Sequence, residues 1–326
     1  MAGTRSFAGG AFSLDLDGVN CGFVQSVEGG AITAEVIEER PTAGSFFTKK
    51  HIGQPKYEPT SLAIGFGMAQ NVYDWIAASW TPSYQRKDGS IVASDASLKA
   101  KTERQFFHAL ITETTFPALD GTAKTPGYIT VKFAPELTRT AAASGTLTAP
   151  KVLPAKQFVP SNFRFELDGL PCQRVRRIES ITVTQTPAQD IIGQARVPTI
   201  EPVKIEFPNL QVTIAQADEG PWSQWHEDFV VKGECDDAHE KGGAIVLLAP
   251  NKKDELGRIT LGHVGIFGLR SGAAAAPGQV ATFTVDLYVE QMQLQIGKPL
   301  PVKPQPERPV VGPSPLRPVQ PTPLVR

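Results

Sequence analysis

Hydrophobic and polar side chains alternate along several short segments of the chain. From Phe12 to Asp17, one Phe and two Leu alternate with one Ser and two Asp. This period of two is typical of a strand with one buried face. The same alternation occurs at 163–168, and β-branched or alternating runs at 130–133 and 181–184 predict further strands.

Two turn signals and two helical segments complete the pattern. Asp17-Gly18 and Asp168-Gly169 follow strands and predict hairpin turns, because glycine accepts a positive φ. Helical spacing of apolar residues predicts one helix in each half of the chain. The residues that carry this spacing are Val72, Trp75, Ile76, Ser79 and Trp80 in the first half, and Trp222, Trp225 and Phe229, after Pro221, in the second. We therefore predict a mainly β fold, a barrel or sandwich with one flanking α-helix in each half.

The two halves of the sequence resemble each other. Phe12–Cys21 aligns with Phe163–Cys172 at an offset of 151 residues. Further matches occur in the same order at closely similar offsets: Trp75 with Trp225, Gly89–Val92 with Gly243–Val246, Phe116 with Phe267, and 129–136 with 283–290. This order predicts a tandem duplication of one domain.

The repeat and the composition together divide the chain into five segments. We predict an N-terminal arm at 1–11, a first copy at 12–139, a linker at 140–160, a second copy at 161–297 and a tail at 298–326. The tail has ten Pro and no aromatic residue, so we expect it to be disordered and extended. An alternative is that the tail is a docking segment for a partner protein.

Composition and charge exclude several classes of protein. Of the 326 residues, 41% are hydrophobic and 20% charged, and no apolar run approaches the roughly 20 residues that span a membrane. No apolar stretch follows Arg5, so no signal peptide is predicted. Three Cys are too few for a disulfide framework and fit a reducing cytoplasm. The net charge is -1 and no folded segment is strongly basic, so we predict no specific nucleic-acid binding.

Candidate catalytic and metal-binding motifs are weak. The segment Asp15–Asn20 has some ligands of a calcium loop, but the second copy has Pro171 in place of Asn20, and a hairpin turn is preferred. His226, Cys235 and His239 lack a paired cysteine, which disfavours zinc. Asp236, Asp237 and Glu240 are interpreted as a solvated loop. No nucleophile elbow or complete phosphate loop occurs, so we predict no catalytic residue, no cofactor, no metal and no enzymatic activity.

One segment, 37–59, is long for a turn in a compact domain and is predicted to be a functional or interfacial loop. It is rich in aromatic and cationic side chains, which are common at interfaces. The candidate contact residues are Phe46, Phe47, Lys49, Lys50, His51 and Tyr57. The alternative is an ordinary surface excursion.

These segments resemble phage tail proteins of the contractile tail-tube superfamily, which also occur in phage-like contractile injection systems. The resemblance is carried by Phe12–Gly18, Lys50–Pro59, Tyr73–Trp75 and Phe116–Gly121, and it covers about 12–296, twice over. It implies a β-barrel with a flanking helix, rings assembled through sheet edges, and rings stacked into a tube. It supplies no catalytic residues, and it maps the loop that bridges neighbours onto 37–59.

The resemblance also sets the expected partners and assembly. Rings of this family contain six domains, so a duplicated chain implies a trimer with pseudo-six-fold symmetry. The implied partners are other copies, in single and stacked rings, and other tail, sheath, baseplate or spike proteins. Assembly is expected in the cytoplasm, before the protein joins a phage-like tail particle.

Two alternatives remain at this point. One is a trimeric hub or adaptor that joins the tube to a spike or baseplate. The other is a carbohydrate-binding or enzymatic β-sandwich. The sequence leaves open the choice between bulk tube and terminal ring, the choice between phage and injection system, the cargo and the target.

Overall fold

The computed structural model describes residues 9–40, 47–148, 157–190, 199–272 and 280–297. Within these ranges the chain is mainly β, as predicted, with nineteen strands and two α-helices. All strand pairs between these elements are antiparallel. No helix in the described ranges combines the length and the apolarity needed to cross a membrane.

The first half of the chain, up to residue 148, contains eleven strands and the helix α1. In order, these are β1 (Gly9–Leu16), β2 (Val19–Val24), β3 (Ser26–Gly29), β4 (Ile32–Glu39), β5 (Lys49–Tyr57), β6 (Thr60–Ile64), α1 (Gln70–Ser79), β7 (Lys87–Asp95), β8 (Ala100–Phe116), β9 (Leu119–Asp120), β10 (Ile129–Ala134) and β11 (Leu137–Ala142).

The second half, from residue 157, contains eight strands and the helix α2. In order, these are β12 (Phe163–Leu167), β13 (Val175–Ile178), β14 (Ile181–Asp190), β15 (Thr199–Glu206), β16 (Leu210–Ala215), α2 (Glu219–His226), β17 (Lys241–Leu248), β18 (Glu255–Ser271) and β19 (Thr282–Ile296). A single π-helical turn, Glu227–Val231, continues α2.

The strands form two large sheets and one separate hairpin. A ten-stranded sheet has the order β2-β1-β7-β8-β10-β6-β3, with β11 and β14 also paired to β8, and β15 paired to β14. A seven-stranded sheet has the order β12-β17-β18-β19-β16-β13-β9, while β4 and β5 pair only with each other. Each half therefore contributes strands to the sheet of the other: β14 extends the first sheet, and β9 extends the second.

The two halves share one hydrophobic core. The predicted helices bury their Trp residues, with Trp75 1% and Trp222 0% exposed. Trp75 packs on Phe133 with ring centroids 5.7 Å apart. One continuous cluster of buried side chains runs through both halves. Burial of apolar surface, the main favourable contribution to folding, therefore joins the halves.

Both Asp-Gly turns form, but only one closes a hairpin. Leu16 pairs with Val19 across a two-residue turn in which Asp17 and Gly18 have φ of 50° and 79°, so the first prediction is confirmed. Gly169 also has a positive φ of 74°. However, β12 pairs with β17, and β13 pairs with β16 and β9, so the second hairpin prediction is wrong. Pro171, which has no backbone N–H to donate, follows that turn.

Both ends of the segment predicted as a linker are packed on the body. Residues 140–142 belong to β11, which pairs with β8, and Thr146 forms a bridge with Lys99. Phe158 is 2% exposed, and its ring lies 4.9 Å from that of Phe66. The predicted arm (apart from 9–11), the middle of the linker at 149–156 and the Pro-rich tail at 298–326 lie outside the described residues.

Backbone irregularities recur at matching places in the two halves. A register shift falls between Lys87 and Gly89 in β7, and another between Lys241 and Gly243 in β17. Later in the chain, His108 in β8 and His263 in β18 both have a positive φ, of 49° and 53°. A non-glycine residue with positive φ inside a strand is uncommon, so its occurrence in both halves supports the similarity seen between their sequences.

The ladders also fix which residues match along the long strands β8 and β18. Thr130 pairs with Thr115 in the first half, and Thr284 pairs with Arg270 in the second. Counting on by one residue places Ser271 at the position of Phe116. The predicted match of Phe116 with Phe267 is therefore wrong by four residues, because it followed residue identity rather than the strand register.

Candidate subunit interface

The segment predicted as a long loop is largely a β-hairpin. The strands β4 and β5 pair from Ile32↔Tyr57 to Glu39↔Lys49. In the described part of the chain, neither strand pairs with any other. The prediction of a loop is therefore wrong over 37–39 and 49–57, where backbone pairing and cross-strand ion pairs support regular strands.

The predicted contact residues lie along this hairpin. Phe47 is 82% exposed, and Lys49, Lys50 and His51 are exposed, whereas Tyr57 is partly buried. Phe46 lies outside the described residues. Lys50 Nζ lies 2.8 Å from a Glu38 carboxylate oxygen, and His51 Nε2 lies 2.7 Å from Glu39.

Large apolar side chains are also exposed on the same hairpin. Ile52 is 80% exposed, Val36 58% and Ile37 52%. A group of exposed apolar side chains of this kind marks an interaction surface. The hairpin therefore has the surface expected of a segment that contacts another subunit.

The second half has a hairpin with the same register. In β14–β15 a register shift falls between Thr186 and Pro187, and in β4–β5 one falls between Ala34 and Val36. The third pair beyond the shift is Gln189↔Ile200 in one hairpin and Glu38↔Lys50 in the other. Lys50 therefore occupies the position of Ile200, and His51 that of Glu201.

Unlike the first hairpin, the second is docked on a sheet. Strand β14 pairs with β8 from Ile181↔Phe116 to Thr184↔Glu113. Farther along the hairpin, the side chain of Ile200 is 2% exposed. The hairpin thus gains both ladder hydrogen bonds and apolar burial from the first half.

A small set of residues in the first half holds Ile200, and we call it the first docking site. Its members are Tyr84, Arg86, Leu110, Ala134 and Glu136. Leu110, Ala134 and Ile200 form a buried cluster against Tyr84. Arg86 Nη2 donates to the Ile200 carbonyl at 2.7 Å, and Glu136 Oε1 accepts from the Ile200 N–H at 2.9 Å. Two side chains therefore complete the backbone hydrogen bonds of the docked strand.

Charges around this site are compensated. The Glu136 side chain is 9% exposed, and its carboxylate lies 3.8 Å from Arg86 Nε and 3.0 Å from His108 Nδ1. Arg86 Nη2 also lies 3.3 Å from a Glu201 carboxylate oxygen. Buried carboxylates need such partners, because an unpaired buried charge is costly.

The matching positions of the second half form what we call the second docking site. Its members are Ala238, Glu240, Gly265, Tyr288 and Glu290. The ladder pairs Tyr288 with Gly265, as it pairs Ala134 with Leu110. Glu240 lies one residue before the register shift that begins at Lys241, as Arg86 does before Lys87.

The β18 edge next to this site carries no strand in the described part of the chain. Residues 265–271 of β18 pair with β19 on one side, and the pairing with β17 ends at Val264. The matching edge of β8 carries β14. An edge of this kind is a template for pairing with another chain.

A second contact between the halves involves β9 and β13. Leu119 pairs with Ile178, and Asp120 with Arg177. Arg177 Nη1 donates to Asp120 Oδ2 at 2.9 Å. Hydrogen bonds from Thr122 and then from Arg177 hold the pKa of Asp120 below its usual value.

Strand β3 matches β13 in its register with the neighbouring strand. Val27 pairs with Leu62, as Ile178 pairs with Val212. In the described residues, β3 pairs with β6 alone. One edge of β13 is thus covered by β9 inside the chain. The matching edge of β3 carries no strand in the described residues.

The weak metal motifs are engaged in ordinary contacts. Asp17 forms an ion pair with Lys87 at 2.6 Å, and Asn20 Oδ1 accepts from the Gly22 N–H. His239 Nδ1 lies 2.5 Å from Asp236. Among the described residues, no group of three or more His, Cys, Asp or Glu is arranged to hold a metal ion.

The interpretation of Glu240 as a loop residue in solvent is wrong. Its side chain is 7% exposed. The Tyr288 hydroxyl donates to it at 2.8 Å, and His263 Nδ1 lies 2.7 Å away. These partners compensate the cost of burying the carboxylate.

Sequence reasoning missed the first docking site. Arg86 and Ile200 are 114 residues apart, and neither belongs to a recognisable motif. The only available signal was the repeat itself, since Arg86 and Glu136 fall at positions where the second half has Glu240 and Glu290. That comparison becomes informative only when the strand registers are known.

Comparison with known proteins places the first half in a family. Residues 10–136 match the family described as T4-like virus tail tube protein gp19. No curated protein matches the chain.

Several solved structures are similar to about two fifths of the chain. The tube-terminating cap of the anti-feeding prophage is 21% identical, with 44% of this chain and 95% of that chain covered and a TM-score of 0.39. The sheath–tube complex of an extracellular contractile injection system, PVC, is 20% identical, with 44% and 93% covered and a TM-score of 0.37. The PVC sheath/tube terminator is 21% identical, with 43% and 100% covered and a TM-score of 0.38. Residues 10–136 of the chain are therefore a tail tube domain of the contractile tail-tube superfamily.

Proposed function

We propose that this chain is a ring-forming structural subunit of a phage-like contractile tail, and that three chains close one ring. The observation that carries the proposal is the junction inside the chain, where β14 of the second half pairs with the edge of β8. The chain repeats both partners of that junction elsewhere. The hairpin β4–β5 and the β18 edge at 265–271 match them, and neither has such a partner in the described residues.

The proposal includes the tandem duplication of 12–139 and 161–297. The matching register shifts, the two His residues with positive φ and the common register of the two hairpins support it. Independent domains would not share irregularities in the same order. Each copy then supplies one of the six positions of a ring.

Ring closure covers both the hairpin β4–β5 and the β18 edge at 265–271. The first hairpin of one chain adds to β18 of the next, as the second hairpin adds to β8 inside the chain. Such a contact joins unlike surfaces, so it forms a ring if the rotation closes and a filament if it does not. Closure at three chains covers the first hairpin and the β18 edge of every chain, so neither remains available to recruit further chains.

Native mass spectrometry and electron microscopy of the purified full chain test this proposal. We expect particles of three chains, about 105 kDa from a chain mass of 35.1 kDa, or stacks of them, with six similar lobes around a channel. A monomer that persists at high concentration, or a ring of six chains, would contradict it.

The role within the tail follows from how the rings associate. A tail tube domain supports a structural role rather than a catalytic one. Stacked rings would identify a tube component. Its further partners would then be sheath or baseplate proteins, and its assembly would take place in the cytoplasm. Single rings that bind a three-fold spike would identify a hub or adaptor, and the chemical difference between the two docking sites favours true three-fold symmetry.

A further inference from the structure

The two docking sites have the same backbone arrangement but opposite chemistry. Glu240 stands where the first site has Arg86, so a cation is replaced by an anion. Tyr288 stands where the first site has Ala134, and Gly265 where it has Leu110. The Tyr288 ring lies so close over Gly265 that no side chain fits there. The pocket that holds Ile200 in the first site is therefore filled by a ring in the second.

The second site is also electronegative. The Glu240 carboxylate is nearly buried, and Glu290 lies close enough to affect the Tyr288 hydroxyl. Burial, the hydrogen bond to Glu240, and the negative charges of Glu240 and Glu290 all raise the pKa of Tyr288. A cation that approached this site would meet a favourable field.

The two hairpins also differ in their side chains, and this difference complements the difference between the two docking sites. Where the second hairpin has Ile200 and Glu201, the first has Lys50 and His51. Inside the chain, Glu201 pairs with Arg86. With the first hairpin on the second site, His51 takes the position of Glu201 and faces Glu240. The Lys50 side chain takes the position of Ile200, beside Tyr288 and Glu290.

Resting on the ring proposed above, we infer that the second docking site receives Lys50 and His51 from the first hairpin of a second copy of this chain. The contact inside the chain is held by an apolar side chain and an Arg. The contact between chains is held by the Lys50 cation and by His51 on an acidic, aromatic site.

This difference makes each hairpin specific for its own site. Lys50 on the first site would place its charge in the apolar cluster of Leu110 and Ala134, and Glu201 on the second site would face Glu240. Burial of an unpaired charge and like charges at an interface both disfavour the wrong pairing. The two contacts therefore alternate around the ring, and the hairpins do not exchange places.

The present partners of Lys50 and His51 do not prevent this contact. The Lys50–Glu38 pair is 60% and 58% exposed, and the His51–Glu39 pair is 54% and 54% exposed. Ion pairs at such exposure stabilise a protein little and exchange readily.

Charge reversal on the hairpin tests the inference in the full chain. We expect Lys50→Glu to raise the concentration needed for half-maximal ring assembly by about tenfold or more, measured by mass photometry. Lys56→Glu is the matched control, because Lys56 is 67% exposed on the same strand and also pairs with a cross-strand Glu, Glu35. The control should change assembly by less than about twofold, and both variants should keep the wild-type melting temperature.

A pair of charge-reversing substitutions, Lys50→Glu and Glu290→Lys, provides the second part of the test. Glu290 is exposed, so Glu290→Lys is expected to fold and to weaken assembly as Lys50→Glu does. The chain that carries both substitutions should assemble better than either single variant. Failure of the wild-type chain to form rings would overturn the proposed function itself. Rings that form equally well with Lys50→Glu and Lys56→Glu would overturn only this inference.

Discussion

At the scale of single residues, equivalent positions differ where the two halves make different contacts. Arg86 and Glu240 each lie one residue before a register shift, yet one donates to a docked strand and the other accepts from Tyr288 and His263. An ionised carboxylate only accepts hydrogen bonds, so it cannot replace a guanidinium that donates to a carbonyl. The difference between Arg86 and Glu240 therefore changes which groups each side chain can bond.

The buried anchor Ile200 should contribute strongly to stability. Ile200→Ala removes a side chain that is 2% exposed and leaves a cavity beside Leu110 and Ala134. We expect a loss of about 2–4 kcal/mol in the free energy of unfolding, measured by urea denaturation. Val203→Ala, on the same strand but 69% exposed, should cost less than about 0.5 kcal/mol. Equal effects of the two substitutions would show that the hairpin is not anchored through Ile200.

At the scale of elements, short strands join the two halves by charge as well as by ladder bonds. Asp120 of β9 and Arg177 of β13 pair across the junction, and Arg177 also forms an ion pair with Glu179. Negative partners raise the pKa of Arg177 further above its usual value, with Glu179 the larger cause and Asp120 the smaller. The junction is therefore expected to weaken in acid.

The pH dependence of Asp120→Asn tests this link. Because the folded protein lowers the pKa of Asp120, its carboxylate stabilises the fold above the ordinary value of 3.8 and loses this effect as the pH falls through the lowered value. We expect the wild type to exceed Asp120→Asn by about 0.5–1 kcal/mol at pH 7, and the difference to shrink below pH 3.8. In an Arg177→Gln background the difference at pH 7 should be smaller. A gap that stays constant with pH would contradict the assignment.

At the scale of the whole molecule, the two halves of the chain form one body. Trp80 of the first half lies against Phe207 of the second, with ring centroids 6.4 Å apart, and Gln70 Nε2 donates to the Ile296 carbonyl at 2.8 Å. Together with the exchanged strands, these contacts couple the folding of one half to that of the other.

Scanning calorimetry tests this coupling. Because one apolar core and both large sheets include residues from both halves, we expect a single cooperative unfolding transition. Ile200→Ala should move the whole transition to a lower temperature rather than split it. Two separate transitions in the wild type would show that the halves fold independently.

The sequence by itself determined the local features of this protein. Alternating side chains predicted the strands, helical spacing predicted α1 and α2, and Asp17-Gly18 predicted a two-residue turn, because each depends on neighbours in the chain. The motifs also indicated the contractile tail-tube superfamily, which the match of residues 10–136 confirmed.

Only the tertiary structure decided how the halves meet. The strand pairing of β14 with β8, the capture of Ile200 by Arg86 and Glu136, and the burial of Glu240 all join residues that are distant in sequence. The periodicity of a strand indicates which face is buried, but it does not indicate which edge pairs with which partner. Edge pairing depends on backbone hydrogen bonds that every residue except proline can donate, so side-chain patterns carry little information about it.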